Sequence, residues 1–348
     1  MTDPNGIPNV DLYSRNGFQG PTSLMVRSSY SPGYSRVKGT YRPQRLRTWS
    51  LPDHDGDASR ELPITVLRSP TVRVDLWRRE TDTPFALRDV HHDQLMFVEK
   101  GRARLETDFG VLDLEPMDMV IVSRAVSYRL SKVEALQMII VVTPEPLRID
   151  PDNAAVLDPV QYVNTPRQYV PEEVRSGEQE LIVRHGDETT SYFFDYDPLA
   201  VLDTAGAPTV QRFNLKNVSP TLVEGKLAAP PARLISGQAT ETLVFYLGAR
   251  RNERPPVHHN ADYDEVGVYC CGPGDFGHMV EPGTMVWVPK GVIHQGPEEN
   301  VPEGYIAWLF ETRAHLELTP AGAAIADLIE TSLFGMHPSV EAASNGSA

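Results

Sequence analysis

Short apolar runs separated by turn residues recur along most of the chain. One series lies between Leu62 and Val142, and a second begins near Thr189. The first comprises Thr65–Leu67, Val72–Leu76, Leu95–Val98, Val111–Leu114, Met119–Val122 and Met138–Val142. The second comprises Tyr192–Phe194, Ala232–Ile235, Leu243–Tyr246, Val266–Tyr269, Met285–Val288 and Ile306–Phe310. Runs of this length and spacing are typical of strands in small barrels or sandwiches, so the pattern predicts an all-β chain with two barrels.

The segments around these series divide the 348 residues further. A stretch rich in Ser, Gly, Pro, Tyr and Arg shows no sustained periodicity and predicts an extended arm, and a Pro-rich, charged stretch predicts a connector. Thr319, followed by Pro320 and by apolar residues at Ile325, Leu328 and Ile329, predicts a capped C-terminal helix. The predicted divisions are an arm (1–60), a first barrel (61–147), a connector (148–188), a second barrel (189–318), and a helix with tail (319–348).

The second series contains residues suited to bind a metal ion. His259 and Glu265 are an even number of residues apart, and Glu265 begins an apolar run, so both side chains are expected to face inward. His294 follows another buried run and would come from a neighbouring strand. Two imidazoles and one carboxylate form the facial triad of non-haem Fe(II) oxygenases, which leaves about three coordination positions open. The sequence therefore predicts a metal centre at His259, Glu265 and His294.

Other polar residues near these ligands are candidates for proton transfer. His258 and His259 are adjacent and cannot point to the same side of a strand, so His258 would lie beside a ligand or at the cavity rim. Chemistry at such a metal centre commonly needs a base to take a proton from the substrate, and His is the usual residue for this role. His258, Tyr263 and His278 are the nearest candidates. Each also has a purely structural interpretation, as a partner of a ligand, a loop residue or a surface residue.

These motifs resemble the cupin superfamily and, within it, homogentisate 1,2-dioxygenase and its bacterial relatives. The matching residues are Pro255, Pro256, His259, Glu265, Pro282, Gly283, His294, Gly296 and Pro297. Typical cupins carry a further His where this chain has Val257, so a three-ligand site is expected. The resemblance implies a bicupin of two jelly-roll barrels, Fe(II) as cofactor, and a homo-oligomer. It also implies cleavage of a dihydroxylated aromatic acid or related phenolic with dioxygen.

The two halves also match each other in sequence. Asp93–Phe97 parallels Asp264–Val268, and Glu115–Val122 parallels Glu281–Val288. In this register Gln94 corresponds to Glu265, Arg88 to His259 and Tyr128 to His294. Adjacent histidines without a carboxylate at ligand spacing, such as His91 and His92, are more typical of a surface or core. The first barrel is therefore expected to have lost its metal ligands.

Two other functions fit the same residues. A bicupin with the same ligands and Mn, Ni or Zn would catalyse isomerisation, decarboxylation or diketone cleavage, because ligand type does not separate these metals. A non-catalytic cupin would bind a small molecule or a partner protein. Retention of a complete ligand set in one barrel favours an enzyme over a non-catalytic cupin.

Composition excludes several classes of partner. A formal net charge of −15 disfavours a nucleic-acid or anionic-membrane surface. The sequence has no apolar run of membrane-spanning length and no secretory pattern. The two cysteines, Cys270 and Cys271, are adjacent and on opposite faces of a predicted strand, so a disulfide framework is not expected. A cytoplasmic protein is predicted.

Overall fold

Antiparallel strands account for most of the secondary structure in the computed structural model. The structure describes residues 10–17, 20–28, 33–52, 57–150, 157–219, 232–251, 257–272, 281–295 and 300–331. Within these ranges both α-helices are short, and neither is long and apolar enough to cross a bilayer. The all-β prediction is confirmed.

The arm and the first barrel contribute the following strands. In the arm they are β1 (Val10–Ser14), β2 (Thr22–Val26) and β3 (Gln44–Arg47). In the first barrel they are β4 (Ile64–Arg68), β5 (Arg73–Arg79), β6 (Phe85–Asp89), β7 (Asp93–Thr107), β8 (Gly110–Leu114), β9 (Asp118–Val122) and β10 (Ser127–Thr143).

The rest of the chain supplies the second barrel and the segments that join the two. The joining elements are β11 (Leu147–Ile149), α1 (Pro159–Tyr162), β12 (Gln179–His185), β13 (Glu188–Phe194) and β14 (Val210–Asn214). The second barrel and the last elements are β15 (Ala232–Gly237), β16 (Thr242–Arg251), β17 (His258–Asn260), β18 (Asp264–Cys271), β19 (Thr284–Val288), β20 (Asn300–Thr312), β21 (Glu317–Leu318), α2 (Pro320–Ala324) and β22 (Ala326–Leu328).

Two large sheets contain most of these strands, and alternation along each strand separates an inner from an outer face. In the first barrel the inner face is fully apolar at its centre, where Met96, Val98, Val120 and Ile140 join one buried cluster. The outer faces of both barrels meet in a larger shared cluster that includes Phe97, Trp308 and Phe310. Burial of this apolar surface is the main force that holds the two barrels together.

Strands cross between the two halves. Strand β3 of the arm pairs with β19 and β22 in the sheet of the second barrel. In the other direction, β14 pairs with β9, and β21 pairs with β4, in the sheet of the first. The arm is therefore an integral part of the second barrel's sheet, although its sequence shows no strand periodicity.

Backbone details support the internal repeat. Strand β7 places Gln94 opposite Val122, and β18 places Glu265 opposite Val288. The turns before β9 and β19 have matching left-handed residues, Met117 at φ 76° and Gly283 at φ 82°. Asp93 and Asp264 each accept two backbone N–H bonds from following loops, from Arg124 and Leu147 in one case and from Lys290 and Leu316 in the other.

Two sequence-based boundaries differ from the structure. The boundary at residue 189 falls inside the β12–β13 hairpin, and Tyr192–Phe194 lies in the first sheet because β12 pairs in parallel with β6. The C-terminal helix covers only Pro320–Ala324, although Thr319 caps it as predicted through a bond from Gly322 N at 3.0 Å. The chain then becomes strand β22, because pairing with β3 supplies its backbone hydrogen bonds.

Candidate metal centre

Three potential ligands converge on the inner face of the second barrel. His258 begins β17, Glu265 lies near the start of β18, and His294 follows β19. The backbones of His258 and His294 exchange two hydrogen bonds of 2.9 Å, which fixes the two imidazoles side by side. One ligand atom from each of His258, Glu265 and His294 lies within 4.8 Å of the other two.

The geometry of this cluster suits a single ion. His294 Nε2 is 3.4 Å from Glu265 Oε2, and the ring centroids of His258 and His294 are 4.3 Å apart. Glu265 and His294 are buried, with exposures of 7% and 4%. Burying a carboxylate is costly unless a cation or hydrogen-bond donors compensate it, so this donor set fits a bound divalent metal ion.

The orientation of His294 is fixed by its second nitrogen. Nδ1 lies 3.0 Å from the Val292 carbonyl, to which it donates, so in the neutral ring Nε2 carries the lone pair, and it faces Glu265. Metal-binding histidines are commonly held in this way by a backbone carbonyl. The loop before His294 therefore holds the imidazole in an orientation that suits a metal ligand.

Charges within the cluster influence one another strongly. Burial alone would lower the pKa of His294, but the adjacent Glu265 carboxylate outweighs it and raises that pKa. Burial would likewise raise the pKa of Glu265, but the His294 and His258 imidazoles outweigh it and lower that pKa. The two groups thus favour each other's charged forms, and a divalent cation would take the place of the proton between them.

The structure differs from the prediction that His259 joins Glu265 and His294. His259 points away from the cluster, and its Nδ1 lies 3.0 Å from the buried Asp11 carboxylate. The prediction assumed that even spacing would place both side chains on the same face of a hairpin, but the Asn260 side chain accepts hydrogen bonds from the backbone of Asp262 and Tyr263 and turns the chain between β17 and β18. Side-chain alternation does not carry across such a turn, so His258 takes the inward position.

The three residues predicted to act in catalysis, His258, Tyr263 and His278, differ in where the structure places them. His258, expected beside a ligand, is one of the three grouped side chains. Tyr263 is buried, and its hydroxyl donates to the Thr240 carbonyl at 2.7 Å, so its proton is already engaged. His278 lies outside the described residues.

Two buried polar residues on the same inner face were not anticipated. Glu311 on β20 lies directly opposite Glu265 in the register, and Asn260 donates to its Oε1 at 3.4 Å. Burial, together with the charge of Glu265, raises the pKa of Glu311 well above its ordinary value. Glu311 could have been found in the sequence, because it directly follows the apolar run Ile306–Phe310 and has the same inward alternation as Leu309.

The arm supplies a further buried carboxylate. Strand β1 pairs in parallel with β17 and brings Asp11 against His259, while Arg27 of the arm donates to Asp11 at 2.6 Å. Tyr13 packs edge-on against the His259 ring, with centroids 5.3 Å apart. The arm thus covers the outer side of the strand that carries His258.

The corresponding positions of the first barrel lack ligands. The Tyr128 hydroxyl donates to the Gln94 side chain at 2.9 Å, and Leu87 pairs with Tyr128 as His258 pairs with His294. All three side chains are buried. A hydrogen bond and an apolar side chain therefore occupy the place that the three grouped donors have in the second barrel, in agreement with the register predicted from the sequence.

Comparisons with known proteins find similar folds among solved structures. No protein-family model matches the chain. A salicylate 1,2-dioxygenase from Pseudaminobacter salicylatoxidans aligns with 81% of this chain and 89% of its own, at 10% identity and a TM-score of 0.43. A cupin 2 conserved barrel domain protein from Leptotrichia buccalis aligns with 82% of this chain and 100% of its own, at 9% identity and a TM-score of 0.37. A glyoxylate-induced protein from Pseudomonas aeruginosa aligns with 84% of this chain and 99% of its own, at 12% identity and a TM-score of 0.41.

Proposed function

We propose that the chain is an Fe(II)-dependent dioxygenase that cleaves the ring of a dihydroxylated aromatic acid or related phenolic. The observation that carries the proposal is the grouping of His258 with the buried Glu265 and His294, whose ligand atoms lie within 4.8 Å of one another. Two imidazoles and one carboxylate on one face of an ion leave about three positions for substrate and dioxygen. The resemblance of the flanking motifs to homogentisate dioxygenases points to the same substrate class.

The residues of this chain would act mainly by positioning. His258 and His294 are held by mutual backbone bonds, and the His294 ring is also held by the Val292 carbonyl, so the two imidazoles are positioned before a metal binds. Iron(II), when bound there, would hold the ring and dioxygen together and conduct electrons from the electron-rich ring to dioxygen, so that the ring is the group oxidised. Apolar walls of the barrel would keep bulk water from the reacting ring.

The direct test is dioxygen consumption by anaerobically Fe(II)-loaded protein. Homogentisate, gentisate and other dihydroxylated aromatics are offered in turn while an oxygen electrode and the ultraviolet spectrum are followed. Consumption of one molecule of dioxygen per molecule of aromatic substrate, measured by the decay of the aromatic absorption band, supports ring cleavage. The relative rates rank the substrates. Stoichiometric iron without uptake on any of them would refute ring cleavage of these compounds and favour the isomerase, decarboxylase or diketone-cleaving alternative.

The matched control for this assay is Glu265→Gln. The substitution keeps the shape of the side chain but removes the anionic ligand, so iron content and dioxygen uptake should fall together. Uptake that persists at the wild-type rate without bound iron would show that the reaction is not metal-dependent.

A further inference from the structure

One inward position on β18 lacks a side chain where its neighbours have large ones. Glu265, Gly267 and Tyr269 are each two residues from the next along β18 and therefore all lie on its inner face. Gly267 lies opposite Leu309 on one side and Val286 on the other, and both of these side chains are buried. Two residues along a strand span about 7 Å, so the position is one step from the Glu265 carboxylate.

The backbone does not require glycine at this position. Gly267 has no left-handed φ, unlike Gly272 directly after this strand, which has φ 134°. Among the described residues, no atom would come within 4 Å of a Cβ added to Gly267, whereas a Cβ on Gly272 would meet Tyr305 Cα at 2.5 Å. The register shift of this strand lies between Tyr269 and Cys271, so no bulge accounts for Gly267 either. The missing side chain therefore leaves open space.

In the first barrel a large side chain fills the corresponding position. Met96 lies two residues after Gln94 and opposite Val120 and Ile140, which is the register position that Gly267 has in the second barrel. Met96 is fully buried in the apolar centre of its barrel. Gly267 is partly accessible to solvent, although Val266 and Val268 beside it are buried. The corresponding position is thus filled by a side chain in the first barrel and is open to solvent in the second.

We infer that the space above Gly267 is the subsite that receives the aromatic ring of the substrate. This inference rests on the proposed metal centre at His258, Glu265 and His294. Leu309 and Val286 supply apolar walls for the faces or edges of a ring, while its oxygen substituents reach the ion. Glycine inside a strand often marks such a close approach of a ligand. Gly267 is therefore a specificity-determining residue, since a larger side chain there would exclude ring-bearing ligands.

The test compares Gly267→Met, which copies the first barrel, with Gly267→Ala and the wild type. Co(II)-loaded proteins are titrated with homogentisate and gentisate, and with azide as a metal ligand that has no ring, while visible spectra are recorded. We expect Gly267→Met to retain metal and azide binding but to lose at least tenfold in affinity for both ring ligands. Gly267→Ala should show a smaller loss. Cys271→Met, which adds bulk to the same strand beyond the register shift, should match the wild type.

The outcomes separate this inference from the proposed function. Ring ligands that bind the wild type but not Gly267→Met support the subsite, even if no dioxygen is consumed and ring cleavage is refuted. Equal affinity of wild type and Gly267→Met for the ring ligands would overturn the subsite, even if turnover is observed. A wild-type protein that binds none of the ring ligands would also overturn it. Thermal unfolding of each variant confirms that a lost affinity does not reflect a lost fold.

Discussion

Two buried carboxylates, Glu265 and Glu311, lie directly opposite each other on β18 and β20. Only Glu265 belongs to the group of close donor atoms with His258 and His294. Glu311 is instead approached by the Asn260 amide and by Gly17 of the arm, where an added Cβ would lie 2.4 Å from its Oε2. The two residues therefore have similar burial but different roles at the site.

This difference predicts opposite results for two isosteric substitutions. Glu265→Gln should lower metal affinity at least tenfold, because an anionic ligand becomes neutral. Glu311→Gln should retain stoichiometric metal, because its side chain is outside the ligand group. Metal content after anaerobic loading and gel filtration measures both. Loss of metal in Glu311→Gln with retention in Glu265→Gln would reverse the assignment.

At this scale the sequence indicated the chemistry of the site but not every residue. Glu265 and His294 were predicted to face inward because each adjoins a buried strand, and both belong to the group of close donor atoms. The choice between His258 and His259 depended on a turn at Asn260, whose hydrogen bonds to the Asp262 and Tyr263 backbone are not visible in a hydrophobic pattern. A two-residue alternation gives the wrong face once such a turn interrupts it.

Strand β1 is the element that couples the arm to the site. It lies beside β17 and buries Asp11 completely, between Arg27 of the arm and His259. Strand β1 pairs with the nearby β2, but its pairing with β17 could not be predicted from the sequence, because Asp11 and His259 are 248 residues apart. Pairing at such separation depends on the completed barrel and not on local propensity.

We predict that Asp11→Asn loosens the arm from β17. The substitution removes a buried negative charge that holds Arg27 and His259, and should cost about 1–3 kcal/mol in the free energy of unfolding. Hydrogen exchange should also become faster at the β17 amides. Asp262→Asn is the control, because Asp262 pairs with an exposed Arg15 and should cost less than about 1 kcal/mol. Equal effects of the two substitutions would contradict a special role for Asp11.

In the whole molecule, a polar chain crosses between the barrels. Glu99 on β7 accepts a hydrogen bond from Gln137, whose amide also donates to Thr48 at 3.1 Å. Thr48 in turn donates to the Gly283 carbonyl at the turn before β19, at 2.9 Å. Burial raises the pKa of Glu99 to about 7, against a smaller lowering by the Gln137 bond.

This raised pKa gives the interface a predictable pH dependence. Between pH about 4.5 and about 7 the folded protein keeps a proton on Glu99 that the unfolded chain has released, so the free energy of unfolding falls as pH rises through this window. The contribution is at most about 3 kcal/mol. Glu99→Gln should remove it and should raise stability at pH 8 relative to the wild type. Urea unfolding of both proteins at pH 5 and pH 8 measures the difference, and parallel pH profiles would contradict the assignment.

The large-scale organisation was partly visible in the sequence. The matching segments around Gln94 and Glu265 indicated a repeated barrel, because the strands and turns concerned are local. The exchange of β3, β14 and β21 between the two sheets was not visible, since each pairs with a distant strand. The homo-oligomer expected from the family resemblance stays a prediction.

The central claim, that His258 and not His259 completes the metal centre, has one decisive measurement. His258→Ala and His259→Ala are loaded with Fe(II) without oxygen, passed through a desalting column, and analysed for iron per chain by mass spectrometry. The account predicts near-complete loss of iron from His258→Ala and near-stoichiometric iron in His259→Ala. Iron retained by His258→Ala and lost from His259→Ala would contradict the account.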